Sequence, residues 1–474
     1  MNPVATKPAA AESFRDSIST IDAEGKRVWL FPKKPSGKLY NARKWVSYGL
    51  LTLLFAGPWL RLNELPVLML NVVERKFIIM GQIFWPQDFF ILLLGFMAFI
   101  LFIILFTVVY GRIFCGWVCP QTIFMEMVFR RVEYFFEGDA SQQKALDKAD
   151  WTWNKIWRRT GKHSVFVLIS LLIANTFLAY IIGSEALVKI IADSPLNHLG
   201  GLSSMVVFTG VFYAVFARFR EQVCTIACPY GRLQGVMLDK NTITVAYDYG
   251  RGEPREKLRK NQERKAGDCI DCKQCVQVCP TGIDIRNGAQ QMECINCTAC
   301  IDVCNSIMDL INKPHGLIRY DSEAHIEAGT KFKVTGRTKA YTAVLVVLVV
   351  LVGVMVGLLI TRSNVDATVL RTPGQLYQKT ERGTVTNLYN ISVINKTNRA
   401  MPIELRVLEP ADGSVKLVGQ NGLKLPAQGM VEGVFFAELP TAALTHTSNK
   451  IRIGVYSGGQ LITEEKTKFL APAQ

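Results

Sequence analysis

After Cys304 the sequence contains no further cysteine through Gln474, so whatever folds there does so without a disulfide or a thiolate-bound metal. Histidine is scarce too. The five, His163, His198, His315, His325 and His446, are dispersed, and a transmembrane haem needs ligands inside apolar spans, so haem b is not expected. His198 falls in a loop and reads as a solvated histidine rather than a quinone or metal contact. The first 44 residues lack an apolar h-region, so no cleavable signal peptide is expected and the first span does the targeting. Acidic residues number 39 against 54 Lys and Arg, a net charge of +15. The basic residues crowd beside apolar runs, which points to an anionic membrane surface and away from nucleic acid.

A 49% hydrophobic composition and several uncharged runs predict a membrane protein. Phe89 to Val109, Ser164 to Gly183 and Tyr341 to Ile360 each have the length of a bilayer core. Trp45 to Leu60, which carries Pro58, and Gly201 to Ala217 are shorter and complete a set of five. Loop charge orients them. Lys33, Lys34, Lys38, Arg43 and Lys44 precede the first span, and Arg112, Arg130, Arg131, Lys155, Arg158, Arg159 and Lys162 follow the second, whereas the loop before the fourth offers only Lys189. The positive-inside rule then places the N-terminus and the segment from Arg218 to Lys339 in the cytoplasm and the C-terminal tail outside, with Arg362 an exception.

All twelve cysteines lie between Cys115 and Cys304, in the half assigned to a reducing compartment. CIDCKQCVQVCP sets Cys269, Cys272, Cys275 and Cys279 in the Cys-x2-Cys-x2-Cys-x3-Cys-Pro run of bacterial ferredoxins, and ECINCTACIDVCN repeats the spacing with Cys294, Cys297, Cys300 and Cys304, Asn305 replacing the proline. Three closely spaced thiolates wrap a four-iron cube from one loop, and the fourth ligand comes from the partner run. Cluster 1 is therefore assigned to Cys269, Cys272, Cys275 and Cys304, and cluster 2 to Cys279, Cys294, Cys297 and Cys300. Paired zinc sites would need only two ligand pairs each and do not explain a doubled triplet.

The other four cysteines repeat as GRIFCGWVCPQ after the second span and REQVCTIACPY after the fourth. Cys115, Cys119, Cys224 and Cys228 converge near the membrane surface if those helices pack together, and a continuing helix would put both sulfurs of a pair on one face. Such a set suits Cu(I), a further iron–sulfur cluster or a dithiol centre, and the spacing leaves these open beside simple packing. Met125, Met127 and Met237 lie nearby and read as core rather than ligands.

RGEPREKLRKNQERK, from Arg251 to Lys265, reads as a solvated linker against anionic lipid. Beyond Arg362, short alternating stretches separated by turn residues such as Asp412-Gly413 and Asn421-Gly422 predict about seven strands in an immunoglobulin-like sandwich. The domain plan is a tail over 1–44, a membrane domain over 45–240, a ferredoxin-like α+β domain over 241–339, a fifth span over 340–362 and the all-β domain over 363–474.

GPWLRLNELPVLML, FWPQDFF, GRIFCGWVCPQT and the doubled cysteine runs, within a match from about Lys26 to the C-terminus, resemble the cytochrome c oxidase accessory protein family, CcoG, also called FixG or RdxA, a family of membrane-bound polyferredoxins. The resemblance implies five spans, a cytoplasmic domain with two [4Fe–4S] clusters and a periplasmic immunoglobulin-like domain in a bacterial inner membrane. It also implies assembly of a haem–copper oxidase by reduction of Cu(II) to Cu(I). Copper ion would be the substrate, copper chaperones or oxidase subunits the partners, and a cytoplasmic donor the electron source. Cys115, Cys119, Cys224 and Cys228 would be the reducing site, with copper or another metal centre held there. The alternatives are a quinol-linked carrier similar to the membrane subunits of periplasmic nitrate reductase, which the β-rich tail disfavours, and an assembly scaffold with structural clusters.

Overall fold

The computed structural model describes residues 19–472 apart from 23, 63, 73–74, 259–265, 329–335, 375, 381–382 and 420–421. Most of the second half of the Arg251–Lys265 linker, and Asn421 of the expected turn, lie outside the described residues. The chain forms two compact units, one of 1–57, 94–179 and 183–352, the other of 58–93, 180–182 and 353–474. The expected boundary at 240/241 falls inside the first unit, and the expected first span shares that unit with the cysteine runs up to Gly57, its last three residues falling in the second.

Among the described residues, four helices are long and apolar enough to cross a membrane: Phe89–Tyr110, Trp153–Ile182, Leu196–Phe219 and Tyr341–Ile360. Their ends follow from local chemistry. The Thr152 hydroxyl accepts from Lys155 N and caps the second, and Gly183, at φ 87°, ends it in a conformation that suits glycine. The segment expected to span from Trp45 to Leu60 is the helix Lys38–Ala56. It carries Lys38, Arg43 and Lys44 at its start and ends at Ala56; Gly57 is still helical in its backbone angles, at φ −50° and ψ −45°, and Pro58 after it has no N–H with which to extend the ladder. It is not one of the four.

In the first unit two cysteine runs adopt one repeated backbone. Asp271 and Lys273 take φ of 49° and 56°, and Asn296 and Thr298 take 54° and 67°. These left-handed residues flank Cys272 and Cys297 and bend each loop around its own centre. Side chains other than glycine hold this conformation at a cost that is characteristic of functional sites. A short helix follows each loop, Gln274–Gln277 and Ala299–Leu310. Strands Thr244–Tyr247 and Ile318–Asp321 pair antiparallel beside them, Val245 opposite Tyr320. Val245, Ile283, Ile285, Ile301, Met308, Leu317 and Ile318 form a core shared with Cys269 and Cys275.

The second unit is a two-sheet sandwich. One sheet has five strands, ordered Ser414–Leu417, Met430–Pro440, Thr384–Asn395, Val365–Arg371, with Gln378–Lys379 also on Thr384–Asn395. The other has four, ordered Leu423–Leu425, Met401–Glu409, Ser448–Ser457, Gln460–Leu470. Thr384–Asn395 and Met430–Pro440 alternate inward apolar residues, so Val385, Tyr389, Ile391, Val393, Phe435, Ala437 and Leu439 fill the core. Tyr389 stacks on Phe435 at 5.4 Å and its buried hydroxyl donates to Lys468 O at 2.9 Å.

The same unit holds a three-stranded meander over Leu68–Asn71, Lys76–Ile79 and Gln82–Phe84. Asp88, just beyond it, is buried between Lys396 Nζ, at 2.8 Å from Oδ1, and the Arg362 guanidinium. Arg362 also lies over the Phe84 ring. This pairing explains why a cation sits where the charge rule places few. Burial raises the Asp88 carboxyl pKa, but Lys396 and Arg362 outweigh it and hold it below the usual range. The carboxylate therefore stabilises the unit above about pH 4, and that contribution is lost as pH falls through the depressed value. Asp88→Asn takes the carboxylate from Arg362 and leaves Lys396 with Asp366 alone, and is expected to destabilise the protein by about 3 kcal/mol. A lowered melting temperature at pH 7, with the gap to wild type narrowing toward pH 3, is the expected observation.

Candidate functional site

The eight ferredoxin-type cysteines line two cavities. Cys269, Cys272, Cys275 and Cys304 line one, and Cys279, Cys294, Cys297 and Cys300 line the other. Cys275 borders both. The crossing of Cys304 and Cys279 into the other loop's cavity has a plain cause. Cys300 and Cys304 are four residues apart on one helix, about 6 Å along its axis, so that helix runs beside both cavities.

Four thiols from three loop positions and one distant position fit a four-iron cube, whose ligands each bind a different iron. Among the described residues no three His, Cys, Asp or Glu side chains converge on a single metal ion. Burial pushes the thiols of Cys275, Cys294 and Cys304 up to about 12 and Cys297 to about 11, with neighbouring thiols adding to the effect. Thiolates in such a place need bound cations. In cluster-free protein, thiols whose folded pKa exceeds the ordinary value of 9.0 stabilise the fold below pH 9, and this is lost as pH rises toward 12. Cluster-free protein is therefore expected to unfold between pH 9 and 12, where cluster-loaded protein, its thiolates already bound to iron, holds its circular dichroism.

Arg286, absent from the expected site, lines the first cavity. Its guanidinium is 2.7 Å from both Asp271 and Asp284 and is 6% exposed. It is the cation nearest Cys275 in electrostatic effect.

The membrane-side cysteines share a second repeated geometry. Phe89–Tyr110 breaks at Gly111, at φ 58°, before the short helix Ile113–Trp117 that carries Cys115; Leu199–Ala214 runs on as a π-helical turn, Val215–Phe219, and breaks at Arg220, at φ 55°, before the π-helical turn Val223–Ala227 that carries Cys224. Cys119 and Cys228 are not on continuing helices. Each is an extended N-cap residue whose following proline occupies the first helical position, of Pro120–Ile123 and Pro229–Met237. Proline forces that break, so the shared-face reading of the x3 spacing does not hold. The four lie within electrostatic reach of one another. Cys224 has Cys119, Cys115 and Cys228 as electrostatic neighbours, and burial pushes its thiol up to about 12. Burial likewise raises Cys115, whose Sγ is 3.0 Å from Oε1 of the buried Gln234. Met125 and Met127 are buried, Met125 in an aromatic core with Phe124, Phe129, Phe166 and Phe216.

Cys115 packs with Cys297, Ile295, Val278 and Ala299, and Cys300 borders that cluster. Two residues outside the cysteine motifs' ligand positions, Gly116 and Arg43, make this approach. A Cβ on Gly116 would lie 2.3 Å from Ile295 O, so only glycine admits the loop here. Arg43, 2% exposed, donates from Nε to Gly116 O at 2.6 Å. Asp302 accepts from Leu39 N and Tyr40 N at 3.2 and 2.7 Å, tying Ala299–Leu310 to the start of Lys38–Ala56. His198 bonds only to Asp193 within its loop, at 2.9 Å, among the contacts described.

Apolar spanning helices joined to two four-thiol cavities define a membrane iron–sulfur protein of the polyferredoxin class. A family model described as a 4Fe-4S dicluster domain matches residues 219–323, one described as a 4Fe-4S binding domain matches 92–138, and one for the IG-like fold at the C-terminal of FixG matches 355–472. Protein RdxA of Cereibacter sphaeroides is 36% identical over 420 residues, covering 86% of this chain and 88% of that protein. Protein RdxB of the same organism is 32% identical over 470 residues, covering 94% and 96%. Nitrogen fixation protein FixG of Rhizobium meliloti is 31% identical over 351 residues, covering 71% and 66%. The chain belongs to the FixG/RdxA family of membrane polyferredoxins, and is an iron–sulfur electron-transfer protein.

Proposed function

We propose that this protein reduces Cu(II) to Cu(I) during assembly of a haem–copper cytochrome c oxidase. The observation that carries the reading is that Cys115 shares a buried cluster with Cys297, bordered by Cys300, which brings one of the membrane-side thiols to the side of one of the two four-thiol cavities. Cys269, Cys272, Cys275 and Cys304 hold one [4Fe–4S] cluster, and Cys279, Cys294, Cys297 and Cys300 the other. Bound there, the clusters supply single electrons, the stoichiometry that Cu(II) reduction requires. Cys115, Cys119, Cys224 and Cys228 receive the copper substrate, since soft thiolates favour Cu(I) over Cu(II) and so favour the reduced product.

The loop charges and the confinement of cysteine to one region support a cytoplasmic N-terminus and cluster region, in the inner membrane of a bacterium, with the sandwich in the periplasm. The sandwich, which bears no thiol, is the element left to contact copper chaperones or oxidase subunits. The test is a Cys115→Ala/Cys224→Ala double variant, with Cu(I) formation followed by a chelator under anaerobic conditions. Loss of at least tenfold in Cu(I) formation (about 1.4 kcal/mol or more in barrier), with cluster absorbance retained, is expected. Unchanged Cu(I) formation in that variant would remove these cysteines from the reaction.

A further inference from the structure

A cavity of about 410 Å³ in the first unit, distinct from both four-thiol cavities, is walled by Trp29, Phe31, Glu137, His163, Phe166 and Tyr213 among others. Of its charged groups, Arg218 lies over the Trp29 ring at 5.7 Å, and the others are matched internally. Arg220 meets Glu133 at 2.5 and 3.0 Å, Lys162 meets Glu137 at 2.8 Å and Arg159 meets Asp147 at 2.7 Å. What remains for a ligand is aromatic surface and a few neutral or singly engaged polar atoms. The Tyr213 hydroxyl and His163 Nδ1 are 2.9 Å apart, and the buried Glu137 Oε1, beside its lysine, has no aligned hydrogen bond. An anionic lipid headgroup would find no unmatched cluster of cations here, whereas a flat aromatic diol would find stacking faces and proton acceptors.

The setting points the same way. A second cavity shares Arg159 and His163 and is lined by Trp151, Ile156 and Val167. Trp151, Trp153 and Trp157 are 71%, 82% and 68% exposed at the start of the spanning helix Trp153–Ile182, the aromatic belt of a membrane interface. A ligand dissolved in the bilayer thus has a side entrance. On the far wall, Arg220 is followed by Glu221, which pairs with Arg130 at 3.6 Å, and Arg130 Nη2 lies 3.5 Å from the carbonyl of Pro280, next to Cys279. One ion-pair layer therefore separates the cavity wall from the second four-thiol cavity, which Cys279 and Pro280 line.

We propose that this cavity binds a lipid-soluble benzoquinol or naphthoquinol, the electron source of the relay, in place of a cytoplasmic donor. The inference rests on the relay reading given above. Oxidation of the quinol to the quinone releases two electrons and two protons. The electrons match the two one-electron centres that the eight cysteines hold, and the protons pass to the acceptors facing the cavity, the His163 imidazole and the Glu137 carboxylate.

The test uses the full chain with its clusters in lipid nanodiscs. Binding of decylubiquinone to the oxidised protein is read by quenching of tryptophan fluorescence, and anaerobic addition of decylubiquinol is read by cluster absorbance. Wild type is expected to bind saturably and to lose cluster absorbance. Tyr213→Phe is expected to bind about tenfold more weakly through the lost hydrogen bond, and Ala217→Leu, which fills the cavity, to bind least. Both variants should keep their iron and remain reducible by dithionite. Equal binding in all three proteins, or wild-type clusters that dithionite reduces and quinol does not, overturns the quinol site. Quinol-reduced clusters that Cu(II) fails to reoxidise would leave this site standing and remove the copper reading.

Discussion

Replacing Cys304 with alanine is expected to remove the cluster bound by the other cysteine run. Cys304 belongs by sequence to the run of Cys294, Cys297 and Cys300, but it lines the cavity of Cys269, Cys272 and Cys275. The variant should therefore keep about four of eight iron atoms per chain, and those four should show the spectrum of the cluster near Cys297. Cys279→Ala is expected to give the converse, keeping the cluster beside Arg286. Arg286 supplies the means to tell them apart, because a buried guanidinium favours the more negative, reduced state of the nearby cluster. The cluster retained in Cys279→Ala should respond in potential to Arg286→Gln, and the one retained in Cys304→Ala should not. If Cys304→Ala instead lost the cluster of its own run, each run would be self-contained and the crossed arrangement would be wrong.

The second large effect is expected at Gly116. Any side chain there drives a carbon into Ile295 O at 2.3 Å, and into Asn296 C and Cys297 N at 3.1 Å. Those are backbone atoms of the loop bearing Cys297, so no rotamer change relieves the clash. Gly116→Val is expected to cost about 3 kcal/mol or to push the Cys115 segment away from that loop. In the second case cluster absorbance survives while Cu(I) formation falls as far as in the Cys115→Ala/Cys224→Ala double variant. Gly49, within Lys38–Ala56, has open space around it, so Gly49→Ala is the control and should leave both stability and Cu(I) formation near wild type.

Both predictions depend on features unequally visible in the sequence. The cysteine runs were legible because a four-iron cube fixes ligand spacing within a loop, and the αL residues Asp271, Lys273, Asn296 and Thr298 carry that spacing into backbone shape. The sandwich was legible from alternation, as in VTNLYNISVIN, which becomes one strand of twelve residues. The helix breaks at Cys119 and Cys228 are also written in the sequence, in the proline that follows each, so the condition of a continuing helix on which the shared-face reading depends is not met. Gly116 and Asp302 were hidden for a different reason. Gly116 meets Ile295 and Asp302 meets Tyr40, partners far away in the chain, and no local pattern distinguishes such a glycine or aspartate from an ordinary turn or helix residue. The meander before Asp88 was passed over because its strands are three or four residues long, too short for alternation to register against the flanking apolar runs.

The central claim is that reduced clusters pass electrons to copper, and a stoichiometric titration tests it most directly. Anaerobic protein is reduced until its cluster absorbance no longer changes, freed of reductant, and titrated with Cu(II) in the presence of a Cu(I) chelator. The account predicts that absorbance returns in step with Cu(I), about one Cu(I) per cluster and two per chain. Clusters that remain reduced while Cu(II) accumulates would contradict it.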